Sequence, residues 1–537
     1  MKRWQALLVS AVLPPAGILM LWMRSLPTEA GVIGKAARVL GRLLLTGPLI
    51  LTLGYLVKVR ILHTEMSGAG YIPIFTFRSP QQDQDALEKH RQAMQAAAPP
   101  AASRAQAAPS EPEADRREPP PLRSGRAGAT APRPGSETHD AGTVVALPTA
   151  APGLLWPEFR GAARDGVSSE GPILTAWPSE GLRPLWKQPV GGGYASFSIA
   201  GGRAFTIEQR RDKEVVAAYD VETGRELWMH DWPARFSESM GGDGPRATPT
   251  WHHGRVYALG ALGELRVLEE ATGTLVWSKH ILADNGAQNI MWGMANSPLI
   301  VDKTVVVTPG GSNGKSLVAY HKDTGERVWN ALDDQAAYTS PVLSTLAGEP
   351  QLLVVTAKRI VGVRPENGAL LWEHPWATMY DINSAQPIVT DANHVLVSAG
   401  YGHGSVLLEV NKAHSGFVAR ALWESKSMKS RFNSAVLHEG HIYGFDESIF
   451  VCIDAKTGER RWKGGRYGYG QAILAGGHVI VLAESGELML LKASPESLQE
   501  IARFQAIEGK TWSHPAMAGG LLLVRNSREM AAFRIAP

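Results

Sequence analysis

Ala218-Tyr219-Asp220-Val221-Glu222-Thr223-Gly224-Arg225-Glu226-Leu227-Trp228 decides the fold. A short apolar strand ends in an acidic turn, Thr-Gly reverses the chain, and a second strand ends in Trp. The turn needs a residue that tolerates positive φ, which glycine does without steric cost. The large flat indole suits burial against a neighbouring copy.

The unit returns along the last two thirds of the chain. Copies end at Trp277 (with Ala271-Thr272-Gly273), Trp329 (with Asp323-Thr324-Gly325), Trp372 (with Glu366-Asn367-Gly368) and Trp462 (with Lys456-Thr457-Gly458). A looser copy with an insertion ends at Trp423, and a degenerate one near Phe504. The spacing of about 39 to 52 residues is the period of four-stranded propeller blades. Each unit follows two further strands, and the inner one often opens on a small polar residue and Pro: Thr248-Pro249, Ser297-Pro298, Ser340-Pro341, with His514-Pro515 as a variant. Proline at a strand's first residue costs no ladder bond. Inner-strand starts number eight, but the last blade, ending at Ile535, has no outer strand of its own. Leu182 to Lys187, carrying Trp186, is an outer strand with no blade before it. The early strand is therefore expected to complete the last blade, closing the ring and removing two exposed sheet edges. The expected fold is all-β, an eight-bladed propeller of four-stranded antiparallel blades over residues 156–537, preceded by transmembrane helices.

The pattern Ala-x-Asp-x-x-Thr-Gly-x-x-x-Trp resembles the tryptophan-docking repeat of PQQ-type eight-bladed propellers. That class includes the quinoprotein dehydrogenases and the propeller lipoprotein of outer-membrane assembly. The resemblance is specific for fold, because several copies keep register, and weak for activity, because the repeat is a packing device.

Composition supports a large core: 44% of the 537 residues are apolar, with 16 Trp and 56 Gly for wedges and turns. A net charge of +3 gives no reason to expect nucleic acid. The single cysteine, Cys452, excludes an intrachain disulfide, a thiolate metal cluster and a Cys-x-x-Cys-His haem site. It occupies the repeat's alanine position and reads as core.

Ahead of the propeller, Ala6 to Met23 is uncharged and long enough to span a bilayer, and Leu43 to Val57 is a second, shorter apolar run. The intervening loop carries Arg24, Lys35, Arg38 and Arg42 against Glu29. It is therefore expected to stay cytoplasmic, with both ends outside. A single anchor, a cleaved signal peptide and no membrane role are the alternatives. The membrane anchor is assigned to residues 1–63. Residues 64–155 form a Pro/Ala-rich linker with a short ordered start, expected to be disordered apart from a transient helix over Gln84 to Ala98. This organisation implies a monomeric propeller held outside the cytoplasm at the bacterial inner membrane.

In a propeller, the loops entering inner strands and those joining second to third strands share one face. That face collects Arg246, Asn296, Tyr338, Asn383, Arg431, Asn433, Gln471, Trp512 and His514, with Glu208 from a second-to-third-strand loop. Arginine forks, amides and a stacking indole suit a planar anionic ligand. Polar residues that only hydrate a narrow channel are the bland alternative. The resemblance implies that a quinoprotein dehydrogenase would hold PQQ over a Ca²⁺ bound by Glu, Asn or Asp, with a nearby aspartate base. Glu208 with Asn296 or Asn383 could supply the oxygens, and Asp243 or Asp381 the base. No spacing marks these residues out, and the vicinal cysteine pair of many members is impossible here. Two functions follow: a ligand-binding or scaffolding propeller that engages an envelope protein, or a PQQ-dependent alcohol or sugar dehydrogenase.

Three local motifs carry no chemistry. Gly310 to Ser316 resembles a phosphate loop or a nucleophile elbow but leads from strand to strand, and His438-Glu439-Gly440-His441 has the wrong spacing for zinc.

Overall fold

The computed structural model describes residues 63–66, 68, 73–76, 80–96, 155–414 and 416–537. Eight antiparallel sheets follow one another around the channel. Seven are built from consecutive strands. The first, for example, contains Ser198–Ala200, Arg203–Arg210, Lys213–Asp220 and Glu226–Pro233. The eighth pairs Ala516–Ala518, Leu521–Arg525 and Glu529–Arg534 with the early strand Pro184–Pro189, placing Trp186 opposite Ala532. Ring closure by the early strand is thus observed.

Each indole packs forward onto the turn of the next blade. A Cβ on Gly224 would lie 2.6 Å from the Trp186 ring, and one on Gly273 would lie 2.5 Å from Trp228. The turn glycine is therefore required twice, by its φ near +70° and by the ring pressed against it. The indole N–H of Trp186 donates to Val221 O at 2.8 Å, and that of Trp228 to Glu270 O at 2.8 Å. Trp372 is the exception. The fifth blade's outer hairpin, Gly404–Ala413 with Gly416–Ser425, is long and has no Thr-Gly turn. Trp372 donates instead to Gln351 within its own blade, at 2.6 Å.

Hydroxyls stitch the inner strands together. Ser196 N–H donates to Thr248 Oγ1, Thr248 N–H to Ser297 Oγ, and Ser297 N–H to Ser340 Oγ, at 2.8 to 3.0 Å. Gln386, its amide turned to satisfy both atoms, pairs with the Ser340 backbone, and its own N–H reaches Ser434 Oγ. Gln471 spans the carbonyls of Phe432 and Trp512, and Ser196 Oγ donates to His514 O. The belt satisfies backbone groups that the converging strands could not pair among themselves. It explains the small polar residue before proline, for which the repeat alone gave no reason.

Trp156 to Gly166 crosses the channel as a plug. Arg160 is 1% exposed, and its guanidinium donates to the carbonyls of Ser434, Ala435, Ala472 and Asp165. Arg164 donates to Ser297, Pro298 and Pro341 carbonyls and to Glu158. Two arginines thereby tie four blades to one short segment. Val167–Ser168 then adds a parallel strand beside Gln471–Ala475, so the seventh sheet has five strands.

Helix Pro80–Ala96 starts four residues earlier than expected and is docked rather than transient. It lies over the seam between the eighth and first blades. Asp83 pairs with Arg528 there, and Arg91 binds Glu226 through paired bonds. Leu87 is buried beneath it. No helix among the described residues is long and apolar enough to cross a membrane. Both apolar runs, Ala6 to Met23 and Leu43 to Val57, lie outside the described residues, as does residue span 97–154 of the linker.

Candidate functional site

The plug forms the floor of a 660 Å³ cavity at the channel mouth. Phe159 faces into it from below and meets the His514 ring edge-on at 4.9 Å. Burial, reinforced by the positive charge of Arg160, holds the His514 imidazole well below the ordinary histidine range. The ring is neutral, and its Nε2 has no hydrogen-bond partner among the described residues.

The walls combine cations with aromatic rings. Arg431 lies 4.3 Å from the Tyr401 centroid and 4.8 Å from that of Tyr469. Behind the wall, Phe236 supports Arg246 at 4.6 Å and Lys510 lies 4.2 Å from Trp512. Such contacts hold a charged group in place, and the Arg246 guanidinium also donates to the Gly242 and Gly244 carbonyls. Glu238 is bound by Arg246 at 3.2 Å and accepts from Met240 and Gly242 N–H groups. The loop 234–246, after the strand Glu226–Pro233, thus borders the cavity, with Tyr194 OH donating to Gly241 O. Burial pushes the Tyr338 hydroxyl up to about 12.

The rim is apolar. Met240 is 43% exposed, Met291 73%, Met379 57% and Tyr380 78%. Tyr380 and Asp381 adopt φ of 63° and 58°, two consecutive left-handed residues in one short loop. Such strain persists only where the surroundings enforce it, and it clusters at functional sites.

Of the residues the sequence suggested, Arg246, Tyr338, Arg431, Trp512 and His514 line this cavity. The others do not. Glu208 is sealed at the seam, its carboxylate accepting from Arg210, Tyr219 OH and the Gly191 N–H. Burial opposes its ionisation, but Arg210 and Arg525 prevail and keep it below the usual carboxylate range. Asn383 donates to the Thr356, Ala357 and Trp376 carbonyls, and Asn296 to Ala337 O. Asn433 is wholly buried and lies outside the cavity wall. Gln471 stands behind the wall, where its two bonds hold Phe432 and Trp512 with ring centroids 4.7 Å apart. Asp243 faces Arg235 at 3.9 Å, and Asp381 belongs to the rim loop without reaching the cavity wall.

Sequence reasoning missed the apolar rim and the floor. The pairs Met291-Trp292 and Met379-Tyr380 stand in loops just before inner strands, where polar residues are the rule, and that was the available signal. Trp156-Pro157-Glu158-Phe159-Arg160-Gly161 was visible as a start but not as a plug. Cys452 is core, with burial pushing its thiol up to about 12. Gly310 to Ser316 joins Thr304–Val307 to Leu317–His321, strand to strand. His438 pairs with His441 across a hairpin turn.

The acids do not fit a Ca²⁺-bound quinone. No group of three or more His, Cys, Asp or Glu among the described residues could hold a metal ion. The Glu208 oxygens proposed for it are taken by arginine, tyrosine and a backbone N–H. Glu238, the acidic residue in the cavity wall, is taken by Arg246 and its own loop.

A family model described as outer membrane protein assembly factor BamB matches residues 164–292 and 212–464. Outer membrane protein assembly factor BamB of Shewanella oneidensis is 25% identical over 210 residues, 39% of this chain and 50% of the relative. Quinohemoprotein alcohol dehydrogenase ADH-IIG of Pseudomonas putida is 27% identical over 168 residues, 30% of this chain and 22% of the relative. The chain therefore spans half the length of the first and about a fifth of the second. The solved structure of quinohemoprotein alcohol dehydrogenase ADHIIG from Pseudomonas putida HK5 superposes with a TM-score of 0.50 at 12% identity, covering 71% of this chain and 80% of that one. That likeness concerns fold alone. With more than half of its residues inside the family match, the chain belongs to the PQQ_2 family of outer membrane protein assembly factor BamB.

Proposed function

We propose that the protein is an extracytoplasmic binding and scaffolding propeller, tethered at the membrane by its N-terminal segment, that takes a polypeptide of the cell envelope at its channel mouth. One observation carries the reading: the 660 Å³ cavity is ringed by exposed Met240, Met291, Met379 and Tyr380. Exposed apolar groups gathered at one opening mark an interaction surface, and methionine adapts to varied side chains. The aromatic-stacked Arg246 and Arg431 below the rim bring positive charge that suits a polypeptide's carboxylates. Family membership supports the reading, since the family description names an assembly factor.

The test is site-specific photo-crosslinking in cells, with the probe at Met291 or Met379 and a control probe at exposed Val328 on an outer strand. A discrete envelope-protein adduct from the mouth positions alone is expected. No adduct, or equal labelling from Val328, overturns the reading.

The second reading is quinone-dependent alcohol or sugar oxidation. It is favoured by the cationic and aromatic wall of Arg246, Tyr194 and Trp512, which suits a planar anion. Titration with PQQ and Ca²⁺ tests it: tryptophan quenching at micromolar quinone with dye-linked alcohol oxidation would establish it, and no quenching would remove it.

A further inference from the structure

The rim loop between the fourth and fifth blades holds a bulky side chain in a backbone conformation that works against the fold. Tyr380 has φ 63° and ψ 17°, in the left-handed region. Glycine enters that region freely, and aspartate tolerates it, as Asp381 does at φ 58°. An aromatic residue is strained there, because its Cβ crowds its own backbone.

Elsewhere the same strain is required or compensated. Arg211, His253, Asp302 and Glu439 stand first in two-residue hairpin turns, whose geometry demands positive φ. Arg160 and Arg164 bind the carbonyls around the plug. Tyr401, the other left-handed tyrosine, supports Arg431 on its ring. Tyr380 has no such compensation. It is 78% exposed, and among the described residues its side chain makes no hydrogen bond, ion pair or ring contact.

The loop is nevertheless fixed in this shape. Thr378 Oγ1 donates to Ile382 O at 2.8 Å, and Asp381 N–H donates to Thr378 O at 3.1 Å. Asn383 Nδ2 donates to Trp376 O at 3.2 Å, closing the loop at its base, and to Thr356 O at 2.9 Å, tying it to the fourth blade. Trp376 is buried and meets His403 edge-on at 4.3 Å. Thr378 and Ile382 are buried, while Met379 and Tyr380 between them project at the edge of the cavity. A ring presented on a fixed backbone has only its two side-chain torsions to lose on binding.

We propose that Tyr380 is the anchor by which the mouth grips its polypeptide partner. The ring enters an apolar cleft on the partner, and the hydroxyl at its tip donates to a backbone carbonyl there. The proposal rests on the polypeptide-binding reading of the mouth and adds to it the gripping residue and the complementary chemistry. Met379 beside the anchor and Met291 on the loop before the third blade adapt to the surface around the cleft. The strained backbone is a stability cost retained for binding.

The test combines the Met291 crosslinking probe with substitutions that relieve the strain, in the full chain. Asparagine suits the left-handed backbone better than tyrosine, so Tyr380→Asn should hold or raise the unfolding midpoint. It should also cut the envelope-protein adduct by about tenfold or more. Tyr380→Phe keeps the ring and should keep the adduct within about threefold of wild type. Glu439→Asn relieves the same strain in a turn on the opposite face and should leave the adduct unchanged, which separates strain relief from loss of the anchor. Wild-type adduct yield from Tyr380→Asn overturns the proposal. So does a lowered midpoint in that protein, since the ring would then be packing within its own chain, and so does a Phe variant that loses as much adduct as the Asn one. These results leave the mouth reading standing, because the wild-type chain still gives the adduct; no adduct from the wild-type chain overturns both.

Discussion

The floor and the rim of the channel use the same side chain for opposite ends. At the floor, Arg160 and Arg164 are fully enclosed and spend their N–H groups on backbone carbonyls of the surrounding blades. At the rim, Arg246 and Arg431 lie over aromatic rings and face a cavity edged by exposed methionine. A guanidinium whose terminal N–H groups are bound by carbonyls of several blades is a structural rivet. One stacked on aromatic rings and paired with an acid of its own surroundings, as Arg246 with Glu238 and Arg431 with Glu447, brings positive charge to the cavity without joining blades. Burial lowers the Arg160 pKa only to about 10, so the rivet stays charged at neutral pH.

The contrast can be broken most forcefully at the floor. Arg164→Ala removes the cation and leaves Glu158 and three carbonyls without their partner, so unfolding in urea should show a loss of about 3–5 kcal/mol. A value under about 1 kcal/mol would mean that the plug is not what joins the blades.

Glu214 sharpens the point about incomplete pairing. Its Oε1 accepts from Ala261 N–H at 2.8 Å, while its Oε2 has no partner among the described residues. Burial raises its pKa from 4.5 to about 7. A raised folded pKa stabilises fully below the unfolded value and loses that contribution as pH rises through the folded one. Wild-type stability should therefore fall between about pH 4.5 and pH 7, by about 3 kcal/mol relative to Glu214→Gln. Parallel pH profiles for the two proteins would refute the assignment.

Arg160→Lys is a milder probe of the floor. Lysine keeps the charge but cannot reach four carbonyls in one plane, so a loss of about 1–3 kcal/mol is expected in the same urea titration. The smallest effect belongs to the rim: Arg431→Ala should change stability by about 1 kcal/mol or less, since its ion pair with Glu447 is partly solvated.

Much of the scaffold was legible because packing repeats. Ala218 to Trp228 states a strand, a turn and a docking indole in one stretch, and its recurrence counts the blades. The orphan strand carrying Trp186 disclosed the closure. The site was legible only where chain position determines which way a side chain faces. Arg246, Arg431 and Trp512 lie just ahead of inner strands and do reach the cavity. Asn296 and Asn383 share that position, but a short amide is captured by the nearest carbonyls before it can reach the opening. Glu208 was claimed by Arg210, two residues along the same strand. The floor was hidden because a plug is long-range: nothing local to Arg160 shows that its partners are Ser434 and Ala472. The docking of Pro80–Ala96 was hidden for a related reason, since its anchors, Glu226 and Arg528, lie far along the chain.

The most direct test places the photo-crosslinking probe at Met291 in the Arg431→Ala and Arg160→Lys proteins and reads adduct yield beside the unfolding midpoint. Arg431→Ala should lose the envelope-protein adduct while keeping its midpoint, and Arg160→Lys should lower the midpoint while retaining the adduct. If adduct and midpoint fall together in both proteins, the rim has no binding role separate from the ring, and the division between floor and mouth is wrong.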